Sequence, residues 1–574
     1  MTPRSAQPII ETRRDQMFPI LEASEIERVR RFGSAYSFAP GEAVQKAGEV
    51  ALGLGIILAG QIEAFQRDAT GGKTPIVTQG PGAFLGELAQ LAGRPALVDA
   101  YAREPAKVLI IPPDRLRALL IAEAELGERI MRALILRRVG LMETGAGLFI
   151  VGRADNGDVL RLQNFLRLNS HPQRTLDPDV DAEARALIER FHVDPGDLPI
   201  VLCGGGQLLR NPSEGQLARC MGLVRPIDPD RLFDVVIVGT GPAGLAAAVY
   251  AGSEGLSALV LDCRARGGQA GASARIENYL GFPTGISGNA LMARAYNQAQ
   301  KFGVEMAIPD EVVSLEERRG ASPHFVLNLQ NQERARARAV VIASGARYRR
   351  LALPDLDAFE SSSVHYWASP VEGKLCHMQE VALVGAGNSA GQATVFLASH
   401  ASKVWLVARG DDLAASMSRY LVDRIAGLAN VEVLTRTQLT GLEGADGMLQ
   451  AVRWLKAGAA EEVRLPLRHL FLFIGADPNT DWLAGSGVDL DPAGFVLTGS
   501  EAGGGRRMLE TSRPGIFAIG DVRCGSVKRV AAAVGEGAQV IAALHGYLGA
   551  AGRAPEPAPD AATDLPRSRG RMCR

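Results

Sequence analysis

One local pattern occurs twice in this chain: a short apolar strand, a glycine-rich turn and the start of a helix rich in small residues. After the strand at 234–238, the first turn reads Gly239-Thr240-Gly241-Pro242-Ala243-Gly244. After the strand at 381–384, the second turn reads Gly385-Ala386-Gly387-Asn388-Ser389-Ala390. A strand, such a turn and a helix together form the phosphate-binding corner of a parallel α/β sheet. We therefore predict two α/β units between 231 and 550.

Each glycine of the first turn has a mechanical function. Gly239 makes the tight turn, Gly241 lets the backbone approach a pyrophosphate, and Gly244 lets the helix pack on the strand. The helix that starts at Pro242 and Ala243 offers the free N–H groups of its first turn to phosphate oxygens; Pro242, which has no N–H, starts the helix without donating. Asp262 ends the next strand, where a carboxylate accepts hydrogen bonds from ribose hydroxyls. The first turn is predicted to bind a dinucleotide.

The second turn predicts a second dinucleotide site with a different preference. Gly385, Gly387, Asn388, Ser389 and Ala390 supply the turn and the helix start. The following strand, 404–407, ends without an acid and continues into Arg409. An acid there repels a 2'-phosphate, whereas an arginine pairs with it. NADPH is the expected ligand, and NADH stays open as an alternative.

Four further motifs make a family resemblance specific. In chain order they are Gly267-Gly268-Gln269, Ile276-Glu277-Asn278-Tyr279, Ala343-Ser344-Gly345-Ala346 and the run 515–521, which ends in Gly520-Asp521. Residues 231 to 550 thereby resemble the low-molecular-weight thioredoxin reductases.

The resemblance implies FAD as the cofactor of the first turn. It implies that Gly268, Gln269 and Asn278 line the flavin, that Gly345 belongs to the cofactor site, and that Asp521, after Gly520, binds the ribityl chain. A helix beginning near Arg529 and Val530 is implied to point its N-terminus at the isoalloxazine ring. Because these motifs bracket the second turn, we expect an NAD(P) domain (353–477) inserted into an FAD domain (231–352 and 478–550).

The resemblance fails where the family carries its redox-active Cys-Ala-Thr-Cys. The corresponding residues are Trp367-Ala368-Ser369-Pro370, and none accepts two electrons as a disulfide does. Cys376 and Cys573 are single thiols without a neighbouring partner, and we interpret Cys376 as a packed apolar residue. The family's His-Arg-Arg is also reduced here to Ala408-Arg409-Gly410. We expect the electrons to leave for an acceptor other than an internal disulfide, and name no catalytic residue.

Residues 147–226 form a smaller α/β unit. The predicted order β-α-β-α-β-β-α resembles the thioredoxin or glutaredoxin fold, with Pro199 at its cis-proline position. The segment after the first strand, 152–158, contains no cysteine, so we interpret the unit as a docking or spacer domain without a Cys-x-x-Cys. The six cysteines show no paired spacing, and we expect neither a disulfide framework nor a metal site.

The N-terminal part, 17–142, is predicted to be a β-roll followed by one long helix over 112–140. The runs 84–89 and 93–97 resemble the phosphate-binding cassette of cyclic-nucleotide-binding domains. That resemblance gives Glu87, after Gly86, to the ribose 2'-hydroxyl, but the position of the expected arginine is occupied by Ala96, and Arg94 lies on the other side of Pro95. A lost charge-assisted bond costs about 1.5–3 kcal/mol. Two interpretations stay open: a shifted ligand site at Gly86, Glu87 and Arg94, or a degenerate roll used for dimerisation or docking.

The charge balance restricts the partners. With 62 basic and 63 acidic side chains the formal charge is −1, which gives no field that attracts nucleic acid or an anionic membrane. No apolar run approaches the roughly 18 residues of a membrane span. We expect a cytoplasmic protein and a disordered tail at 551–574.

The complete order of roll, thioredoxin-like unit and two Rossmann-like domains resembles bacterial fusion proteins labelled cyclic-nucleotide-binding FAD-dependent oxidoreductases. This resemblance implies a homodimeric flavoenzyme with a regulatory front end, which uses NAD(P)H and an unidentified electron acceptor. Two alternatives stay open: a thioredoxin-disulfide reductase working through an external dithiol, and a redox sensor with little turnover.

Overall fold

The computed structural model describes residues 9–551 except positions 70, 146, 204–205, 225, 274, 277, 321–322, 361, 369 and 446. The tail for which we predict disorder, with Cys573, lies outside these residues apart from its first position. Within the described ranges, no helix combines the length and the apolarity needed to cross a bilayer.

The N-terminal part is a roll of two antiparallel sheets flanked by helices. Its elements are α1 Ile9–Thr12, α2 Arg14–Met17, α3 Ala23–Val29, β1 Ser34–Phe38, β2 Ala43–Gln45, β3 Leu54–Ala59, β4 Ile62–Arg67, β5 Lys73–Gln79, β6 Phe84–Leu85, β7 Asp99–Ala102, β8 Ala106–Ile111, α4 Pro113–Ala122 and α5 Ala124–Thr144. The strand orders are β1-β8-β3-β6 and β2-β7-β4-β5. Apolar side chains of the first sheet pack against α4 and α5, and a second cluster with Ile57, Ile62 and Val108 fills the space between the two sheets.

The expectation of one long helix over 112–140 is wrong, because the chain bends between α4 and α5. Glu123 leaves helical geometry with φ −116° and ψ 76°. Its carboxylate accepts hydrogen bonds from Arg28 at 3.0 Å and Arg31 at 2.9 Å. These long-range ion pairs hold the bend against the N-terminal helices.

The next unit has the element order that the sequence predicts. Its elements are β9 Leu148–Val151, α6 Gly157–Leu168, β10 Gln173–Leu176, α7 Ala182–Phe191, β11 Ile200–Leu202, β12 Leu208–Arg210 and α8 Glu214–Cys220. The sheet runs β10-β9-β11-β12, with β9 and β10 parallel and the other pairs antiparallel. The Leu198–Pro199 peptide is cis, and Ser213 and Gln216 form a capping box at α8. We call this the thioredoxin-like unit.

The expectation of unpaired cysteines is wrong for this unit. Cys203, just after β11, and Cys220, at the end of α8, form a disulfide with their Cα atoms 6.3 Å apart. They lie 17 residues apart in sequence, a spacing that matches no short motif. They meet because β11 and α8 share one apolar core, in which Val201 and Leu217 are fully buried.

The third part is a seven-stranded mixed sheet with helices. Its first elements are β13 Leu232–Val238, α9 Pro242–Ser253, β14 Ala258–Leu261, α10 Gly268–Ala272, α11 Gly288–Lys301, β15 Glu305–Ala307, β16 Val312–Arg318, β17 His324–Leu329, β18 Arg334–Ile342 and β19 Ala346–Tyr348. The chain then leaves this domain, which we call the seven-stranded domain, and forms a second sheet before it returns.

The second sheet belongs to what we call the inserted domain. Its elements are α12 Leu356–Phe359, β20 Val364–His365, α13 Pro370–Leu375, β21 Glu380–Val384, α14 Asn388–Ala398, β22 Lys403–Val407, α15 Arg419–Ala426, β23 Val431–Leu434, β24 Thr437–Ala445, β25 Met448–Lys456, β26 Val463–Pro466 and β27 His469–Leu472. Strands β20-β27-β21-β22-β23 form a parallel sheet, and β24-β25-β26 form an antiparallel one.

The chain returns through β28 Ala476–Pro478, β29 Ile516–Ala518 and α16 Val530–Ala551. The seven-stranded sheet has the order β15-β14-β13-β18-β17-β16, and β29 pairs in parallel with β18. The outgoing strand β19 and the returning strand β28 pair with each other, so that Arg347 lies opposite Asp477. The two connections to the inserted domain therefore form one two-stranded ribbon.

Candidate functional site

A cleft of about 580 Å³ lies between the seven-stranded domain and helices α14 and α15 of the inserted domain. We call it the central cleft. It lies at the carboxyl ends of β13, β14 and β18, where ligands bind in open α/β sheets. The predicted cofactor residues that line it are Gly239, Gly241, Pro242, Ala243, Asp262, Gly268, Gln269, Asn278, Gly345, Ser389, Gly520, Asp521, Arg529 and Val530.

The other predicted cofactor residues do not line the central cleft. Gly244 lies beneath the first turn, and the remaining ones belong to the inserted domain: Gly385, Gly387, Asn388, Ala390 and Arg409. Arg409 is exposed just beyond the end of β22. The structure thus divides the predicted residues between one shared cleft and a separate turn after β21.

The first turn has the close contacts that its glycines predict. Gly239 has φ +112°, and a Cβ there would lie 2.2 Å from the carbonyl oxygen of Ala343. A Cβ on Gly244 would lie 1.9 Å from the carbonyl oxygen of Gly239. Gly241 differs, because a Cβ there would meet no protein atom within 4 Å. The two outer glycines serve the turn itself, and Gly241 faces open space.

Asp262 is held by a residue that sequence reasoning missed. Thr240 donates its N–H to the Asp262 carboxylate at 2.8 Å and its hydroxyl at 2.5 Å. Burial raises the pKa of Asp262, and the hydrogen bonds from Thr240 oppose that shift. The position of Thr240 between Gly239 and Gly241 is the sequence signal from which this contact could have been predicted. These two hydrogen bonds hold the Asp262 carboxylate at the cleft wall, where it can accept hydrogen bonds from ribose hydroxyls.

The opposite end of the central cleft is organised by α16. Glu536 accepts the N–H of Gly520 at 2.6 Å and pairs with Arg523 at 2.6 Å. Asp521 accepts no hydrogen bond from the described residues, and burial raises its pKa while Lys528 lowers it. Helix α16 begins at Val530 in the cleft wall. Sequence reasoning missed Glu536 because it reaches back from within the helix.

The segment 367–370 follows β20 in the inserted domain. Position 369 lies outside the described residues. Trp367 and Ala368 line the central cleft together with Tyr348. The indole N–H of Trp367 donates to Glu372 at 3.1 Å. Cys376 is fully buried in the core of the inserted domain, and burial raises its pKa to about 11, as expected for a packed apolar residue.

In the roll, the residues predicted for a ligand already have protein partners. Glu87 is 4% exposed and pairs with Arg138 of α5 at 3.0 Å, while Gly86 before it has φ +130°. Arg94 instead donates to the hydroxyl of Tyr296, on α11 of the seven-stranded domain. The two charged side chains of the cassette therefore face different elements.

The central cleft fits a flavin dinucleotide by three observations. Gly241 leaves space where a pyrophosphate must approach the backbone. Asp262 lines the wall as a hydrogen-bond acceptor, and Asp521 offers a second one with no protein donor among the described residues. Two dinucleotide turns, each at the end of a parallel strand, and a cleft lined by the first turn and by α14 of the second unit define a flavin-dependent pyridine-nucleotide oxidoreductase.

Comparisons with known proteins identify the family. The family described as Pyridine nucleotide-disulphide oxidoreductase matches residues 233–537, and the Cyclic nucleotide-binding domain family matches residues 36–123. The chain belongs to the pyridine nucleotide-disulphide oxidoreductase family, whose members are FAD-dependent enzymes, and it carries an N-terminal domain of the cyclic-nucleotide-binding fold.

Its relatives include thioredoxin reductases. The thioredoxin reductase of Mycolicibacterium smegmatis is 33% identical over 307 residues, which cover 53% of this chain and 93% of that protein. The thioredoxin reductase of Mycoplasmopsis pulmonis is 31% identical over 309 residues, 54% of this chain and 95% of that protein. The crystal structure of Lactococcus lactis thioredoxin reductase has a TM-score of 0.50 at 27% identity and covers 55% of this chain and 99% of that chain.

Proposed function

We propose that this protein oxidises NAD(P)H through FAD and passes the electrons to an acceptor other than an internal disulfide. FAD, when bound, supplies a group that takes hydride from a nicotinamide and releases the electrons in a second step. The observation that carries the proposal is the pair Trp367 and Ala368 in the wall of the central cleft, where the family resemblance implies a dithiol.

The chain's own residues suit the two cofactors. The first turn, Asp262 and Asp521 offer partners for a pyrophosphate, a ribose and a ribityl chain. Val530, the first residue of α16, lines the central cleft, and the positive end of a helix dipole at that place favours negative charge. Ser389, on α14 of the inserted domain, lines the same cleft, which supports entry of a nicotinamide from the side of the second turn.

The test is an anaerobic titration of the FAD-loaded protein with NADPH or NADH, followed by an acceptor screen. We expect one NADPH to bleach one flavin, and turnover to require an added acceptor. Flavin that stays oxidised in excess NADPH and NADH would contradict the proposal.

Arg409 is expected to select NADPH over NADH. The Arg409→Ala variant removes a charge-assisted contact to the 2'-phosphate, which is worth about 1.5–3 kcal/mol. We expect kcat/KM for NADPH to fall roughly 10- to 100-fold while that for NADH stays unchanged. Arg419→Ala is the control, because Arg419 is 87% exposed on the same domain and pairs with Asp423. If Arg409→Ala lowered kcat/KM for NADPH and for NADH equally, Arg409 would not be the residue that selects NADPH.

A second candidate is a disulfide reductase that works with an external dithiol protein, and the Cys203–Cys220 disulfide favours it. This pair lies in a unit that contacts the seven-stranded domain through Arg264 and Glu214 at 2.9 Å. NADPH-dependent reduction of a thioredoxin, abolished in a Cys203→Ser/Cys220→Ser variant, would support this candidate over the first one.

A further inference from the structure

A second cavity lies where the thioredoxin-like unit, the seven-stranded domain and the inserted domain meet. We call it the side cavity. Its volume is about 770 Å³, which lies within the usual range for small-molecule sites. Tyr348 and Trp367 line both the side cavity and the central cleft. A molecule in the side cavity is therefore separated from the proposed flavin site by one layer of aromatic side chains.

Positive charge predominates in the lining of the side cavity. Its charged side chains are Arg161, Arg167, Arg264, Arg347, Arg350, Glu214, Glu360 and Glu372. The two lining histidines add no charge at neutral pH, because burial lowers the pKa of His171 to about 3 and that of His365 to about 4. Among the lining side chains, guanidinium groups outnumber carboxylates by five to three, so an anion site depends on which guanidinium is left without a carboxylate from elsewhere in the protein.

Four of the five lining arginines have a carboxylate partner within 3.0 Å. The pairs are Arg161–Asp158 at 3.0 Å, Arg264–Glu214 at 2.9 Å, Arg347–Asp481 at 2.7 Å and Arg350–Glu360 at 2.7 Å. These charges are largely neutralised by the protein, and the fifth arginine differs from them.

Arg167 of α6 is the least neutralised. One of its terminal nitrogens donates to the neutral side chain of Asn164 at 2.6 Å. Its Nε has no hydrogen-bond partner among the described residues. The nearest carboxylate oxygen, on Glu372, is 3.7 Å away and accepts from the indole of Trp367. Burial lowers the pKa of Arg167, against the effect of Glu372. The side chain of Arg167 is 27% exposed, but its Nε is buried without a partner among the described residues, and such a donor favours a further acceptor.

The wall next to the central cleft is aromatic. The rings of Tyr348 and Tyr366 stack with centroids 5.8 Å apart and planes inclined by 17°. Trp367 follows Tyr366 directly and lines the same cavity. Flat aromatic ligands pack well on such surfaces, in offset-stacked or edge-to-face geometry.

We propose that the side cavity binds the electron acceptor, a small quinone with one anionic substituent. The anion pairs with Arg167, and the ring packs against Tyr348, Tyr366 and Trp367. This deepens the proposed function and rests on it for the source of electrons. The overall reaction balances as one NADPH, one proton and one quinone giving one NADP⁺ and one hydroquinone.

The test uses ligands that cannot be reduced, so that binding is measured apart from turnover. Calorimetry on the oxidised, FAD-loaded full chain compares naphthalene-2-sulfonate with neutral 2-naphthol. We expect the sulfonate to bind at least ~10-fold more tightly, which corresponds to one charge-assisted contact. Equal affinities in the wild-type protein would overturn the proposal, even if no variant could be prepared.

Variants locate the site. Arg167→Met should weaken sulfonate binding at least ~10-fold and leave 2-naphthol binding unchanged. Arg210→Gln is the matched control, because Arg210 lies on the same unit, pairs with Asp197 at 2.8 Å and does not line the cavity. Trp367→Phe should abolish any tryptophan fluorescence change that the sulfonate causes. An equal loss in Arg210→Gln, or an unaltered fluorescence response in Trp367→Phe, contradicts the assignment.

The two proposals fail separately. If NADPH reduces the flavin but the sulfonate shows no preference, the side cavity is not an anion site and the proposed function stands. If the sulfonate binds as expected but NADPH leaves the flavin oxidised, the binding site stands and its role as the acceptor site is lost.

Discussion

The Gly241→Val variant should be isolated colourless and remain so after incubation with FAD. Gly241 has φ −65° and ψ 179°, values that any residue adopts, and a Cβ there meets no protein atom within 4 Å. The valine therefore fits the protein but fills the space that a pyrophosphate needs. Loss of two charge-assisted backbone contacts, about 3 kcal/mol together, raises the Kd for FAD at least ~100-fold.

The measurements are the flavin absorption spectrum, the FAD content after reconstitution and the thermal unfolding midpoint. Without FAD, Gly241→Val should unfold at the same temperature as the wild-type apoprotein. Added FAD should raise the midpoint of the wild type only, because a ligand stabilises the state that it binds. A yellow Gly241→Val protein with full FAD content would refute the assignment of the first turn.

The same substitution in the second turn should give the opposite phenotype. Gly387 has φ −87° and ψ 179°, and a Cβ there also meets no protein atom within 4 Å. Gly387→Val should bind FAD normally and be yellow, but its flavin should no longer be reduced by NADPH at concentrations that reduce the wild type. We expect the apparent Kd for NADPH to rise at least ~100-fold.

Anaerobic stopped-flow reduction measures this effect. Dithionite, which needs no nucleotide site, should reduce the flavin of Gly387→Val and of the wild type alike. Each valine variant serves as the control of the other, since both add the same side chain to equivalent turns. Reduction of Gly387→Val at the wild-type rate would place the nicotinamide nucleotide elsewhere.

Local signals in the sequence predicted the framework of this protein. Glycines at fixed spacing after apolar strands predicted both turns, because only such residues permit the positive φ of Gly239 and the close contact at Gly244. The capping box of Ser213 and Gln216 at α8 is equally local, because its two residues lie within four positions of each other. Asp262, Gly345 and Asp521 lie together in the central cleft, as motif order within a resembling family implied.

Contacts between distant segments were not predictable in the same way. Glu123 bends the long helix through arginines more than 90 residues away, and the periodicity of 112–140 contains no sign of them. Cys203 and Cys220 meet only because a strand and a helix share a core. Arg167 became a candidate only when three separate parts of the chain enclosed one cavity. Secondary-structure propensity and motif spacing carry no information on such long-range tertiary contacts.

The contact between Arg94 and Tyr296 has a thermodynamic consequence. The guanidinium of Arg94, which a shifted ligand site in the roll would need, is bonded to Tyr296 of α11, 202 residues further along the chain. Helix α11 packs against α10, which carries Gly268 and Gln269. An anion that takes Arg94 must first release it from this helix. By reciprocity, any change that strengthens the contact of α11 with Arg94 lowers the affinity of the roll for the anion by the same factor. Tyr296 of the seven-stranded domain and an anion therefore compete for the same side chain of the roll, Arg94.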